Sequence, residues 1–163
     1  SSKVQLLRVS KLVELIRGGL SGNGNAGPPF TIVAKNNSGG ALARGDVVIM
    51  DWVSCTADLL VVKTTTNAND TAVAGMAYEA IPNGAVGRIQ VYGPTKALKA
   101  DGTTDIAVGD GLCTYTTAKM GQKSTTGGIF AFALEAYATN DSNGVIDAFI
   151  TAGLQAGNVR TTE

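Results

Sequence analysis

The side chains that could do chemistry in this chain are carboxylates, hydroxyls and two thiols, because its 163 residues include no histidine. Histidine is the usual general base near neutral pH, the commonest zinc ligand and the partner of most serine and cysteine nucleophiles. Its absence argues against hydrolase chemistry. Cys55 and Cys113 are too few for a disulfide framework and are not spaced as a metal knuckle, so we expect buried free thiols.

Two carboxylates stand in similar surroundings and could be imagined as a catalytic pair. Asp46 and Asp110 each follow a glycine and precede an apolar strand-like segment. An aspartate in that position more often bonds the amides of its own turn, and this is what we predict for both.

Two further motifs resemble ligand loops. Asp141-Ser142-Asn143-Gly144 resembles the start of a calcium loop, but the later bidentate glutamate is missing, so we predict a turn. Residues 22–27, GNGNAG, fit the dinucleotide fingerprint by letter, yet Pro28 and Pro29 follow where a helix should begin. The sequence therefore predicts no enzyme activity, no catalytic residue, no metal site and no cofactor.

The composition indicates a globular protein whose partners are proteins. Apolar residues make up 44% of the chain and charged residues 16%, which is too apolar for disorder. Basic and acidic residues number 13 each, so no global field attracts nucleic acid or a membrane surface. No apolar run is long enough to cross a membrane, and residues 1–20 do not resemble a secretory signal, so we expect synthesis in a cytoplasm.

The elements that must position any site divide the chain into four parts. Residues 21–29, SGNGNAGPP, have the composition of a linker between an N-terminal arm at 1–20 and a body at 30–152, with a C-terminal tail at 153–163. The arm is predicted to be an amphipathic helix, because five apolar residues recur at spacings of three and four. These candidate contact residues are Leu6, Val9, Val13, Ile16 and Leu20.

The body is predicted to be all-β, a small barrel or sandwich of about eight short strands. Asn83-Gly84 and Asn143-Gly144 are predicted to turn two hairpins through positive φ angles. Trp52, the only tryptophan, is predicted to pack in the barrel core. The predicted strands are Phe30–Lys35, Asp46–Val53, Leu59–Lys63, Ala72–Ala80, Ala85–Tyr92, Gly111–Thr117, Ile129–Ala138 and Val145–Ile150.

An internal repeat predicts two similar β-units packed together. Gly45-Asp46 and Gly109-Asp110, 64 residues apart, each open an apolar strand. The segment from Tyr78-Glu79 into 87–92 has a counterpart in Leu134-Glu135 followed by 144–149.

The body resembles the small β-barrel capsid decoration, or cement, proteins of tailed bacteriophages. The resemblance is carried by the two Gly-Asp turns, Ala-Gly-Met-Ala at 74–77 and Gly-Arg-Ile-Gln-Val-Tyr-Gly at 87–93. It implies a homotrimer that binds the major capsid protein on the outer capsid surface and stabilises the shell, without nucleic acid or membrane partners. The arm and linker at 1–29 lie outside the family pattern.

Other functions remain open from sequence alone. A tail or spike subunit would share this composition. A carbohydrate-binding β-module or a lyase-like enzyme on a β scaffold is the other alternative. The arm carries four basic side chains and one acidic, a net charge of +3 against −3 for the remainder. It could therefore contact an acidic surface on the capsid, on a neighbouring subunit or on its own barrel.

Overall fold

The computed structural model describes residues 28–152, which form a nine-stranded sheet. The all-β prediction for the body is confirmed, whereas the predicted helical arm and the C-terminal tail lie outside the described residues. Within residues 28–152 no helix is long and apolar enough to span a membrane. The strands are β1 Phe30–Asn36, β2 Val47–Met50, β3 Val61–Lys63, β4 Val73–Ala77, β5 Val86–Ala100, β6 Gly111–Thr114, β7 Gly121–Lys123, β8 Ala131–Ala133 and β9 Gly144–Thr151.

The first five strands close into a barrel. Their order is β1-β3-β2-β4-β5, and the N-terminal half of β5 pairs back onto β1 to complete the ring. The β1–β3 pair is parallel and the other four are antiparallel. Closure leaves no free edge along these strands, which removes unpaired backbone groups that would otherwise be open to another chain.

The same five pairings recur in the second half of the chain. The C-terminal half of β5 takes the place of β1, and the order β5-β7-β6-β8-β9 returns to β5 through the β5–β9 pair. Again one pair, β5–β7, is parallel, and the other four are antiparallel. The predicted pair of similar β-units is therefore confirmed, and β5 belongs to both.

Backbone contacts fix the register of the two units. The bridge between Leu42 and Ile81 in the first unit matches that between Ile106 and Tyr137 in the second. The amide of Tyr78 donates to the oxygen of Arg88, as the amide of Leu134 donates to that of Asp147. The sequence comparison had instead matched Gly87 with Gly144, which is two residues out of register. The error arose because the connections before β5 and β9 differ in length.

The core consists of two apolar clusters divided by β2. Val48 and Met50 pack in the cluster inside the first barrel, whereas Val47 and Ile49, on the opposite side of β2, pack in the cluster of the second unit. Side chains alternate across a strand, so a strand buried on both faces must be apolar throughout. This explains the uninterrupted sequence Val-Val-Ile-Met of β2, all of it buried.

The long strand β5 runs through a Gly-Pro pair that the sequence prediction took as its end. Gly93 has a φ of 110°, and Pro94 lies opposite Phe149 in the β5–β9 ladder. The buried side-chain amide of Gln90 donates to the carbonyl oxygens of both Gly93 and Pro94, each at 3.0 Å. This local bridge satisfies backbone groups at the irregularity and allows the strand to continue to Ala100.

The two predicted Asn-Gly turns have different outcomes. Gly84 has a φ of 80° in a turn closed by the Ala85 amide and the Pro82 oxygen, so the hairpin between β4 and β5 is confirmed, but Asn83 does not have the predicted positive φ. Neither Asn143 nor Gly144 has positive φ, so that part of the prediction is wrong. Gly144 is the first residue of β9. Glycine is needed at this position because a Cβ would meet the ring of Tyr137 and the oxygen of Ala100. The strand β7 was also missed, because its sequence Gly-Gln-Lys carries no strand signal.

The two Gly-Asp glycines offer a matched test of the packing between units. Gly45 and Gly109 have φ values of 96° and 90°, so alanine at either position is strained by about 1–3 kcal/mol. A Cβ at Gly45 would overlap the carbonyl oxygen of Ala97, whereas one at Gly109 has no described atom within 4 Å. We expect Gly45→Ala to lower the free energy of unfolding by about 4 kcal/mol or more, and Gly109→Ala only by the strain. Equal losses in chemical denaturation of the monomeric protein would contradict this difference.

Candidate interaction surface

The first Gly-Asp turn is a buried polar anchor between the two units. Asp46 is fully buried, and one of its oxygens accepts the Ala43 amide at 2.9 Å. The predicted turn role of Asp46 is confirmed. Its carboxylate also forms a short ion pair with Lys99 of β5 and lies 3.6 Å from the Nζ of Lys119.

Both lysines belong to the second unit, so Asp46 ties the units together. The amide of Lys99 also donates to the Gly45 oxygen, and the amide of Val47 donates to the Lys119 oxygen. A buried carboxylate is tolerated only when it is paired and hydrogen-bonded, and Asp46 satisfies both conditions.

The second Gly-Asp turn repeats the first but is open. Asp110 accepts the Ala107 amide at 2.8 Å, which confirms its predicted turn role, and pairs with Lys123 at 3.0 Å. Its side chain is 23% exposed, against 1% for Asp46. The Ala107 and Lys123 contacts hold the pKa of Asp110 below its ordinary value. Each aspartate therefore accepts an amide of its own turn and pairs with at least one lysine.

A cluster of hydroxyls and carboxylates surrounds residues 141–144, the segment whose sequence resembles the start of a calcium loop. The Asp101 side chain is buried and accepts the amide and hydroxyl of Thr103 and the hydroxyls of Thr117 and Ser142. Asp141 accepts the Tyr137 hydroxyl at 2.6 Å and the Asn143 amide at 3.0 Å. The Asp141 segment is thus a turn, as predicted.

These contacts lower the pKa of both the Asp101 and the Asp141 carboxyl. Desolvation raises the pKa of Asp101, but the hydrogen bonds from Thr103, Ser142 and Thr117 together outweigh it, so the net pKa is lowered. The bonds from Tyr137 and Asn143 likewise lower the pKa of Asp141. Both groups are carboxylates held by donors of the protein itself, and they serve as structural acceptors.

Metal-ligand groupings and thiols are the remaining polar features of the described body. Within residues 28–152 no three His, Cys, Asp or Glu side chains are grouped as metal ligands. Cys113 is buried, and burial raises the pKa of its thiol, which disfavours the reactive thiolate. Cys55 is only partly buried, so the prediction of buried free thiols holds for Cys113 and in part for Cys55.

The body presents an apolar strip on its outer surface where the two units meet. Phe30 of β1 contacts Tyr92 of β5 edge-on, with ring centroids 6.1 Å apart, and Tyr92 contacts Phe149 of β9 at 5.2 Å. Phe132 of β8 is directly opposite Phe149 in the ladder. Phe30 is 69% exposed and Phe132 is 41% exposed. These ring contacts and the cross-strand pair place four aromatic side chains along one face of the body.

Two aliphatic side chains extend this strip past the end of β8. Leu134 directly follows β8, lies on the same side as Phe132 by the alternation of the strand, and is half exposed. Val108 is two-thirds exposed in the turn that hydrogen-bonds to Ala133. We name the six residues the apolar strip: Phe30, Tyr92, Phe149, Phe132, Leu134 and Val108.

Sequence reasoning missed the apolar strip, although a signal was present. Residues 131–134 read Ala-Phe-Ala-Leu, and both alanines are buried while the two larger side chains face outward. In a narrow barrel the small member of an alternating pair points inward, so this alternation indicates an exposed apolar face. The strip also marks where the described chain begins and ends, because Tyr92 pairs with both Phe30 and Thr151.

The predicted contact residues of the arm lie outside the described residues. These are Leu6, Val9, Val13, Ile16 and Leu20. Within the described residues, the chain reaches the apolar strip at Phe30.

The prediction for Trp52 is wrong. The side chain is 65% exposed on the loop after β2, where Val53 is 97% exposed. Trp52 comes after the end of β2 at Met50, so it does not take part in the alternation of inward and outward side chains along that strand. Trp52 borders an open groove of about 580 Å³ whose other walls include Asp51, Lys63 and residues 64–67.

Tyr78 and Tyr92, at the two ends of the β4–β5 hairpin, belong to separate contacts. Tyr78 is flanked by the guanidinium groups of Arg44 and Arg88, each 4.9 Å from the ring centroid. Arg88 also forms a two-point ion pair with Glu79. Tyr92 belongs to the apolar strip.

Comparison with known proteins shows a likeness to a solved structure. No family model and no curated protein matches the chain. Among solved structures, the chain is similar to the head fiber gp8.5 N base of bacteriophage phi29, with a TM-score of 0.52 and 17% identity. The match covers 77% of this chain and 96% of that one. At this identity the likeness establishes the fold.

The Asp101 cluster predicts acid sensitivity. Because the pKa of Asp101 is lower in the folded state, its stabilisation is complete above the unfolded value of about 3.8 and is lost as the pH falls through the folded-state pKa. We expect Asp101→Asn to lower the free energy of unfolding by about 1–3 kcal/mol at pH 7. We also expect this variant to lose less stability than the unmodified protein as the pH falls. Asp105→Asn, an exposed change on the same loop, should alter neither. Melting curves between pH 2 and pH 7, at about one-unit steps, measure both effects; an unchanged Asp101→Asn variant would refute this role.

Proposed function

We propose that this chain is a structural protein of a bacteriophage virion that binds the outer surface of the capsid as a decoration protein. The observation that carries the proposal is the fold likeness to the base of a phage head fiber, a component of a virion. The Gly-Asp turns and the two-unit β-body add the resemblance to decoration proteins. No catalytic role is assigned.

The proposed partners are the major capsid protein and further copies of this chain in a homotrimer. The apolar strip supports binding to protein, because it is exposed and lies at the junction of the two units. The arm supports attachment, because it is predicted to be an amphipathic helix and it precedes Phe30 of the apolar strip in sequence. Assembly on the capsid surface after synthesis in the host cytoplasm is part of the same proposal.

The energetics of the arm favour binding to a partner. Burying its five apolar side chains contributes roughly 7–15 kcal/mol at about 1.5–3 each. Fixing twenty residues costs on the order of 20 kcal/mol or more. Folding of the arm therefore requires contacts beyond its own stripe. Three arms on one trimer would raise the effective concentration of each at the capsid.

Removal of the arm tests the proposed attachment. Deleting residues 1–27 keeps the whole described body, so we expect a soluble folded protein with greatly weakened binding to preformed capsids in a co-sedimentation assay. Val13→Asp, on the predicted stripe, should weaken binding similarly, because a carboxylate cannot be buried unpaired. Leu15→Asp, off the stripe, is the matched control and should bind more tightly than Val13→Asp.

Either of two results would contradict this role of the arm. One is an aggregating body after deletion, which would mean that the arm covers its own barrel. The other is full occupancy of the capsid without the arm.

A second candidate function, carbohydrate binding, is favoured by the groove at Trp52. An exposed indole offers a flat apolar face for stacking, and the groove beside it supplies polar groups. The side chains of Thr64, Thr66 and Asn67 line this groove and form no hydrogen bond within residues 28–152. An aromatic face beside unpaired hydroxyl and amide groups suits a sugar ring.

A glycan array followed by calorimetry on any hit tests this candidate. If the groove binds sugars, Trp52→Ala should weaken binding by at least about tenfold. Phe132→Ala, which removes an exposed aromatic outside the groove, should leave binding unchanged. No glycan binding by the full chain, or equal binding by Trp52→Ala, eliminates carbohydrate recognition at this groove.

A further inference from the structure

One face of the first unit already serves as a docking face within the chain. Val47, Ile49, Val73 and Met76 point away from the first barrel and join the apolar core of the second unit. At the border of this face, the Gly45 turn packs against β5 at Ala97 and Lys99.

The second unit carries the counterpart of this docking face, and its border is uncovered. The register of the repeat places Phe132 where the first unit has Met76, and Gly109-Asp110 where it has Gly45-Asp46. Met76 is fully buried, whereas Phe132 is 41% exposed. Gly45 is buried, whereas Gly109 is exposed with no described atom within 4 Å of an added Cβ.

In the contact within the chain, the C-terminal half of β5 receives the docking face, and we call it the receiving strand. Its counterpart in the first unit is β1. Lys99 lies opposite Val145 in the second ring, and Lys35 lies opposite Val86 in the first. By this register Ala97 corresponds to Val33 of β1. Val33 is 59% exposed. Lys35 is partly exposed and forms no ion pair within the described part of the chain. The first unit therefore carries, on β1, a receiving strand whose lysine has no acidic partner within the described residues.

We propose that a second copy of this chain docks head-to-tail on the first, repeating between copies the contact that joins the two units. The Gly109-Asp110 turn and Phe132 of one copy meet Val33 and Lys35 of the next. Asp110 then pairs with Lys35 as Asp46 pairs with Lys99. This contact rests on the proposed homotrimer and assigns its interface.

Two features of the turn suit this contact. Glycine at 109 leaves room for a carbonyl oxygen of the next copy, as Gly45 leaves room for that of Ala97. The Asp110 carboxylate, bonded to Ala107 and Lys123, retains exposed surface for a second lysine, and Asp46 has two lysines beside it. A contact between two different patches is heterologous, and it closes into a ring when the rotation per copy permits. Three copies would form a ring of six similar β-units.

Charge reversal tests this interface in the full chain. Sedimentation velocity over a range of concentrations should show a closed trimer for the unmodified protein and about tenfold or greater weakening for Lys35→Glu. Lys96→Glu makes the same charge change on an exposed lysine of β5 and should leave the trimer intact. Asp110→Asn, which removes the charge but keeps a side-chain oxygen for the Ala107 amide, should also weaken the trimer. Melting curves confirm that each variant is folded.

A second pair of variants tests the apolar part of the interface. Phe132→Asp should dissociate the trimer, whereas Val53→Asp, at a fully exposed site on the Trp52 loop, should not. A protein that stays monomeric at its highest attainable concentration overturns both the trimer and this interface. A trimer that survives Lys35→Glu and Phe132→Asp overturns the interface alone. Capsid co-sedimentation is read separately, so failure of the decoration role is distinguishable from either result.

Discussion

The buried carboxylate of Asp46 is the interaction on which the rest of the body depends. An ionised group without solvent must be paired and hydrogen-bonded, and the partners of Asp46 come from three parts of the chain. Its own turn supplies the Ala43 amide, β5 supplies Lys99, and the segment before β7 supplies Lys119. Loss of either lysine would leave a charge with less compensation inside the protein. The relative position of the two units is therefore specified by a polar contact, and apolar packing of β2 and β4 fills the space around it.

The shared strand β5 makes that contact possible. A single strand serves two rings only if it continues through the point where the rings separate, and Gly93-Pro94 lies there. Gln90 supports this point by donating to both carbonyl oxygens. The oxygen of its own amide is buried without a partner, so the bridge carries a local cost. The same glutamine lies opposite Met76 in the β4–β5 ladder, next to the face that packs against the second unit.

Sequence reasoning reached the class of fold, most strands, the repeat and the turn role of both aspartates, because these depend on local chemistry. It failed where tertiary context decided the outcome. A Gly-Pro pair usually ends a strand, and only the Gln90 bridge explains why β5 continues. Trp52 was assigned to the core by its size, but the alternation of β2 ends at Met50, before it. The lysines that pair with Asp46 stand 53 and 73 positions away, so no local pattern could have linked them.

The difference between the two Gly-Asp turns explains how a repeated sequence comes to carry unequal surfaces. Each unit has a docking face and a receiving strand, and one contact within the chain uses one of each. One docking face, with the Gly109 turn, and one receiving strand, β1, are thereby left over. In stacked repeats such terminal surfaces need either polar capping or a partner. Here the second unit is only partly capped: Ile129 lies over Gly111, while Phe132 and Val108 remain exposed. Incomplete capping beside an intact turn is the arrangement expected of a surface that is covered in an assembly.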